Sequence, residues 1–187
     1  KEDYTLYVKP GKRDSVNEAF RVIRTNLEFM DHGNGGTVVA MTSFNPGSGK
    51  TFISLNLGAT LAIKKMKVLL VDGDFRRASL SSIVGSPVSG FANYLSGQET
   101  SLNQVIRPYP DVQGLDVLPV GAVPPNPSEL IGDAAFRKAV DELRKVYDYI
   151  LIDCPPVHLV ADTQLITRLA DRTIFLLRVG PFDKSML

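Results

Sequence analysis

Five short runs constrain the fold more than any other feature. Residues 37–43, 67–71, 115–120, 149–152 and 173–179 are apolar or β-branched almost end to end. A strand with one wet face alternates polar and apolar residues, whereas a strand apolar at nearly every position needs cover on both faces. Helical stretches separate the runs: one from Ser15, then 50–65, 133–146 and 161–170. Residues 75–110 are less regular, with short helical pieces expected around 89–96 and 101–106. Pro124, Pro125 and Pro127 read as a stiff loop. Strands alternating with helices imply an α/β fold, a mostly parallel sheet with helices on both faces.

The 187 residues give one domain the interior such a sheet needs. Residues 1–14 read as a polar N-terminal arm and 15–187 as a single domain. The chain starts at Lys1 and stops at Leu187 just past an apolar run, so we expect a piece of a longer protein, truncated on its C-terminal side. Ser15-Val16-Asn17-Glu18 fits a capping box. Val16, Phe20, Ile23, Leu27 and Met30 follow at helical spacing, and residues 31–36 end that helix in turn chemistry. Lys and Arg number 21 against 20 Asp and Glu, a net charge of +1, which gives no global pull toward nucleic acid or anionic membrane. The single cysteine, Cys154, excludes an intramolecular disulfide and a cysteine zinc cluster. No run of 18 apolar residues occurs, as a membrane-spanning helix would need, and no secretory signal is visible.

The most informative segment follows the first run. Ser43-Phe44-Asn45-Pro46-Gly47-Ser48-Gly49-Lys50-Thr51 leaves a buried strand and opens a helix. Glycines there let backbone N–H groups converge on phosphate oxygens, and the helix N-terminus adds its positive end. Lys50 is placed to reach the β- and γ-phosphates, and the Thr51 hydroxyl to ligate Mg²⁺. The pattern G-x-x-x-x-G-K-[ST] is met from Gly49 onward, with Phe44 where its first glycine would stand. The bland alternative is an ordinary strand-to-helix turn. Asp153 closes another run and can hold Mg²⁺ opposite the phosphates, since parallel strand ends converge on one sheet edge. Asp72 and Asp74 close a third. One of the pair can take a proton from an attacking hydroxyl while the other supports the metal; the alternative is a solvated acidic turn beside Arg76 and Arg77. Gly73 between them suggests an unusual backbone turn.

Together these segments resemble the bacterial tyrosine kinases, with their Walker A (44–51), Walker A-prime (68–74) and Walker B (150–153) motifs. Glu18-x-x-Arg21-x-x-Arg24 is similar to that family's oligomerisation motif, Pro125-Asn126-Pro127-Ser128-Glu129-Leu130 to its Pro-Asn-Pro loop, and Asp153-Cys154-Pro155-Pro156 to its D-x-P-P. The wider deviant-Walker group, MinD and ParA included, carries an extra loop lysine where this chain has Asn45.

The resemblance implies a P-loop NTPase-like protein tyrosine kinase using ATP and Mg²⁺. Pro46, Gly47, Ser48, Gly49, Lys50 and Thr51 would bind nucleotide, and Thr51, Asp74 and Asp153 the metal. Asp72 would orient or deprotonate the tyrosine hydroxyl, with Lys50 and Asp74 completing the catalytic set. Glu18, Arg21 and Arg24 would build a ring of copies, with Arg21, Arg24 and Glu28 expected on an exposed stripe of their helix. The implied setting is a cytoplasmic domain of an inner-membrane protein serving exopolysaccharide or capsule export, with a separate membrane activator or a fused transmembrane polysaccharide co-polymerase segment. The family's C-terminal tyrosine cluster is absent, and the six tyrosines are scattered. The competing expectations are a MinD/ParA-type ATPase switch and a nucleotide-binding scaffold without kinase activity.

Overall fold

The computed structural model describes residues 4–30, 35–123, 125–157 and 162–178. Helix α1 (Ser15–Met30) precedes strand β1 (Thr37–Ser43), helix α2 (Lys50–Ile63) and strand β2 (Val68–Asp72). A 3-10 turn (Leu80–Val84) and short helices α3 (Phe91–Leu95) and α4 (Leu102–Val105) lead to strands β3 (Arg107–Pro108) and β4 (Leu115–Leu118). Helices α5 (Pro127–Gly132) and α6 (Ala134–Leu143), strand β5 (Tyr149–Asp153), helix α7 (Asp162–Thr167) and strand β6 (Arg172–Leu176) complete the order.

The strands form one sheet in the order β3-β4-β2-β5-β1-β6. Every pairing is parallel except the short antiparallel β3–β4 contact, which the sequence reading does not anticipate. The apolar runs are explained by their two-sided burial. Val38, Ala40, Leu69, Val71, Ile150 and Ile152 face one core, closed by residues of α3 to α7 such as Phe91 and Phe136. Their neighbours Val39, Met41, Val68, Leu70, Tyr149 and Leu151 face the other, closed by α1, α2 and Val8 of the arm. Strand β6 departs from this expectation: Phe175 is 44% exposed, and exposure alternates along the strand.

Several local expectations are corrected. The Asp14 carboxylate caps α1, accepting from the Val16 and Asn17 N–H groups at 3.1 and 2.9 Å, while Glu18 pairs with Arg21 instead of reaching back. Met30 is 42% exposed and leaves the apolar face. Arg24 and Glu28 are half-buried, not on an open stripe, because Glu28 bridges at 3.2 Å to Lys64, the residue that follows α2. Pro127 stands in the first turn of α5, where its missing N–H costs nothing, so part of the proline loop is helix. Pro124, residues 31–34, the expected helix start at 161 and the strand end at 179 lie outside the described residues.

Candidate active site

Parallel strands β1, β5 and β2 are neighbours, so their C-terminal ends meet at one edge of the sheet. Register puts Asp153 beside Met41 of β1 and beside Asp72 of β2. The turn after β1 needs Gly47 and Gly49 for conformation, not space: both hold φ in the left-handed region, +71° and +89°, with nothing near an added Cβ. Ser48 does not line the cavity; its hydroxyl donates to the Asn45 carbonyl at 2.7 Å and tightens the loop. Lys50 Nζ donates to Ser43 Oγ at 3.2 Å across the turn.

A cavity of about 390 Å³ lies over these strand ends, within the range of small-molecule sites. Pro46, Gly47, Gly49, Lys50 and Thr51 line it, together with Asp74, Arg77, Ser79 and Asp153. The Thr51 hydroxyl donates to Asp153 Oδ2 at 2.6 Å, while Asp153 Oδ1 is buried with no hydrogen-bond partner among the described residues. Burial pushes the Asp153 carboxyl up to about 6, against the pull of Thr51 and Lys50. An orphaned oxygen beside a hydroxyl fits an incoming cation. No group of three or more His, Cys, Asp or Glu able to hold a metal occurs among the described residues, so phosphate and water oxygens would have to complete the shell.

The two β2 aspartates part company. Asp74 reaches the cavity, and its Oδ1 accepts the N–H groups of Arg76 and Arg77 at 3.3 and 3.1 Å. The turn it carries ends at Ala78, held at φ +50°. Asp72, the expected hydroxyl base, is fully buried and does not line the cavity. Its Oδ2 accepts the N–H and hydroxyl of Ser81, both at 2.7 Å, and its Oδ1 accepts the Asp74 N–H at 3.2 Å. Ser81 Oγ in turn accepts the Val120 N–H at 2.9 Å. Burial, then the Asp153 charge, raises the Asp72 carboxyl to about 8. Gly73 has no left-handed φ; it is glycine because a Cβ would sit 2.8 Å from Ile152 Cγ2.

Arg77 faces the cavity, whereas Arg76 turns away to Asp162 at 3.5 Å and to Ser128 at 3.1 Å. Cys154 is buried, and desolvation with the Asp153 charge raises its pKa, so the thiol stays protonated. Glu18, Arg21 and Arg24 lie on α1, away from this cavity.

Residues 36–182 match the family described as an AAA domain. The chain is 37% identical over 172 residues to the tyrosine-protein kinase CpsD of Streptococcus agalactiae, covering 91% of this chain and 72% of CpsD. The solved kinase domain of the Escherichia coli tyrosine kinase ETK superimposes with a TM-score of 0.84 at 35% identity, over 89% of this chain and 65% of that one. The chain belongs to the bacterial tyrosine-kinase family. MinD of Pyrococcus horikoshii, solved with Mg-ADP, has the same P-loop fold but lies further off, with a TM-score of 0.63 at 27% identity over 75% of this chain and 57% of MinD.

The bacterial tyrosine-kinase motifs account for most of the cavity wall but not for Tyr4, Arg77 or Ser79, nor for Ser81, which holds Asp72 outside the cavity. Ser81 lies nine residues beyond Asp72, and only the 3-10 turn brings it back. No local pattern announces it. This tyrosine-kinase chain spans 23% of the whole E. coli tyrosine-protein kinase etk, at 36% identity.

Proposed function

We propose that this domain transfers the γ-phosphoryl group of Mg·ATP to tyrosine hydroxyls. The observation that carries the reading is the meeting of Lys50, Thr51, Asp74 and Asp153 on one cavity, with one buried Asp153 oxygen lacking a hydrogen-bond partner among the described residues. Pro46, Gly47, Gly49 and Lys50 would bind the phosphates, with Ser48 bracing their loop. Thr51 and Asp153, with Asp74, would hold Mg²⁺, which when bound neutralises charge on the phosphates. Asp74 orients the incoming hydroxyl and takes its proton. Asp72 acts through Asp74 as a positioning residue, because its oxygens are committed to Ser81 and to the Asp74 N–H. Phosphoryl transfer needs placement and charge neutralisation more than covalent chemistry, and this set supplies both.

The reading extends to setting. The domain would work on the cytoplasmic side of a bacterial inner membrane in exopolysaccharide or capsule export, switched by a membrane partner or a fused membrane segment. Copies would associate through Glu18, Arg21 and Arg24. Support for that surface comes from Phe29 and Val22 on the same helix, 89% and 58% exposed. Among the described residues no helix is long and apolar enough to cross a membrane.

The test compares the wild-type chain with Lys50→Met for phosphotyrosine by mass spectrometry, with ATP binding measured in parallel. Phosphotyrosine in the wild type and a loss of about 100-fold or more in the variant are expected. Bound ATP with no phosphotyrosine, joined by ATP-dependent dimers, would favour the MinD-type switch.

A further inference from the structure

Tyr4 lines the same cavity as Lys50, Asp74 and Asp153. It is half-buried, and it rests partly on the apolar cluster closed by α1 and α2. One side chain of α2 holds the arm there. Asn56 is fully buried; its Oδ1 accepts the Tyr7 and Val8 N–H groups at 2.7 and 3.0 Å, and its Nδ2 donates to the Thr5 carbonyl at 3.2 Å. The Lys9 N–H donates to Asn17 Oδ1 of α1 at 3.1 Å. A buried amide left without partners is costly, so these bonds fix the arm's register on the helix. Asn56 follows Lys50 on α2 by six residues, about 9 Å along the axis. The clasp therefore brings an arm phenol to the phosphate-binding lysine of its own chain.

We infer that Tyr4 is a phosphorylation site of this protein, modified within the same chain. The inference rests on the kinase reading above. In the step, Tyr4 Oη forms a bond to the γ-phosphorus of ATP. The bond from that phosphorus to the β,γ-bridging oxygen breaks, and its electron pair leaves with ADP. The phenolic proton passes to the Asp74 carboxylate and then to solvent. Clasping replaces a bimolecular encounter with a held geometry, the source of large effective concentrations. Two negative charges added at Tyr4 would then stand beside Asp74 and Asp153, so the product form disfavours rebinding of an anionic nucleotide.

The test incubates the full chain with Mg²⁺ and ATP in the presence of a tyrosine-containing peptide and maps phosphate on both. A second incubation mixes the wild type with a mass-tagged Lys50→Met chain. Phosphate on Tyr4 of the wild type, and its absence from Tyr4 of the tagged chain, is expected. Tyr7→Pro removes one N–H that the clasp grips without touching the core, and it should slow Tyr4 phosphorylation about tenfold or more relative to the peptide. Peptide phosphorylation with an unmodified Tyr4 overturns the inference and leaves the kinase reading standing. Equal labelling of Tyr4 on the tagged chain overturns the same-chain route, as does a Tyr7→Pro rate equal to wild type. Bound ATP with phosphate on neither peptide nor chain overturns both readings.

Discussion

Asp72 and Asp153 lie side by side across the β2–β5 pair, both buried and both with carboxyls raised above the ordinary range. A carboxyl that binds its proton more tightly folded than unfolded favours folding only while protonated. Its contribution is complete below about pH 4 and fades as pH rises through about 6 for Asp153 and about 8 for Asp72. Asp14 acts in the opposite sense: helix-cap N–H groups lower it to about 2, so its contribution fades as pH falls through that value. Denaturant titrations of the ligand-free chain should therefore show stability declining from pH 5 to pH 8. Mg·ATP should stabilise the chain more at pH 8 than at pH 5, because protons compete for the same oxygens. Ser81→Ala leaves the Val120 N–H buried without its acceptor and removes a donor from Asp72. A loss of about 1–3 kcal/mol is expected, read as a Tm lower by about 2–4 °C for each kcal/mol. The Gly-x-Gly-Lys-Thr turn and the three aspartates could be read from the sequence because their chemistry depends on near neighbours. The division of labour between Asp72 and Asp74 could not, because it is decided by a serine that returns from a distant turn.

At the scale of elements, a few close approaches set how the site's supports sit. The N-terminal end of β1 is fixed by Arg144, which donates to the Gly36 carbonyl at 2.8 Å and to Asp171 at 2.5 Å. Gly36 touches the loop after α6 so closely that an added Cβ would fall 2.1 Å from the Tyr147 carbonyl. Gly36→Ala must displace backbone, and a loss of about 1–3 kcal/mol or more is expected by chemical denaturation. The doubly buried strands β1, β2, β4 and β5 and the long helices were legible because period and composition agree. Strand β3 was not: a two-residue contact that includes Pro108 has no periodicity to detect. Helix α5 was hidden behind its prolines, although Pro127 stands where a helix tolerates one. The capping box failed at α1 because Asp14, one residue earlier, offers a charged acceptor and Arg21 draws Glu18 away.

At the scale of the whole molecule, the α1 surface and the sheet order matter most. Arg21 bonds the Lys12 carbonyl at 2.8 Å and pairs with Glu18, while Arg24 pairs with Glu28 at 3.7 Å, so each is already engaged within its own chain. Assembly through this surface would have to exchange those pairs for contacts with a second copy. The double change Arg21→Ala with Arg24→Ala should convert any larger species to monomer in light scattering while leaving nucleotide affinity unchanged. An unchanged mass distribution would remove this helix from the assembly. The sheet order carries a different consequence, one of timing. Strand β5 stands between β1 and β2 although it is the last of the three in the chain. A ribosome supplying about 5–20 residues each second releases β1 and β2 several seconds before the strand that fills the slot between them. Until then the edges of β1 and β2 that β5 will join, about 10 Å apart in the folded sheet, lack their partner strand. The nascent chain is most exposed to mispairing in that interval, and the Asp153 that completes the cavity is also the residue that ends it.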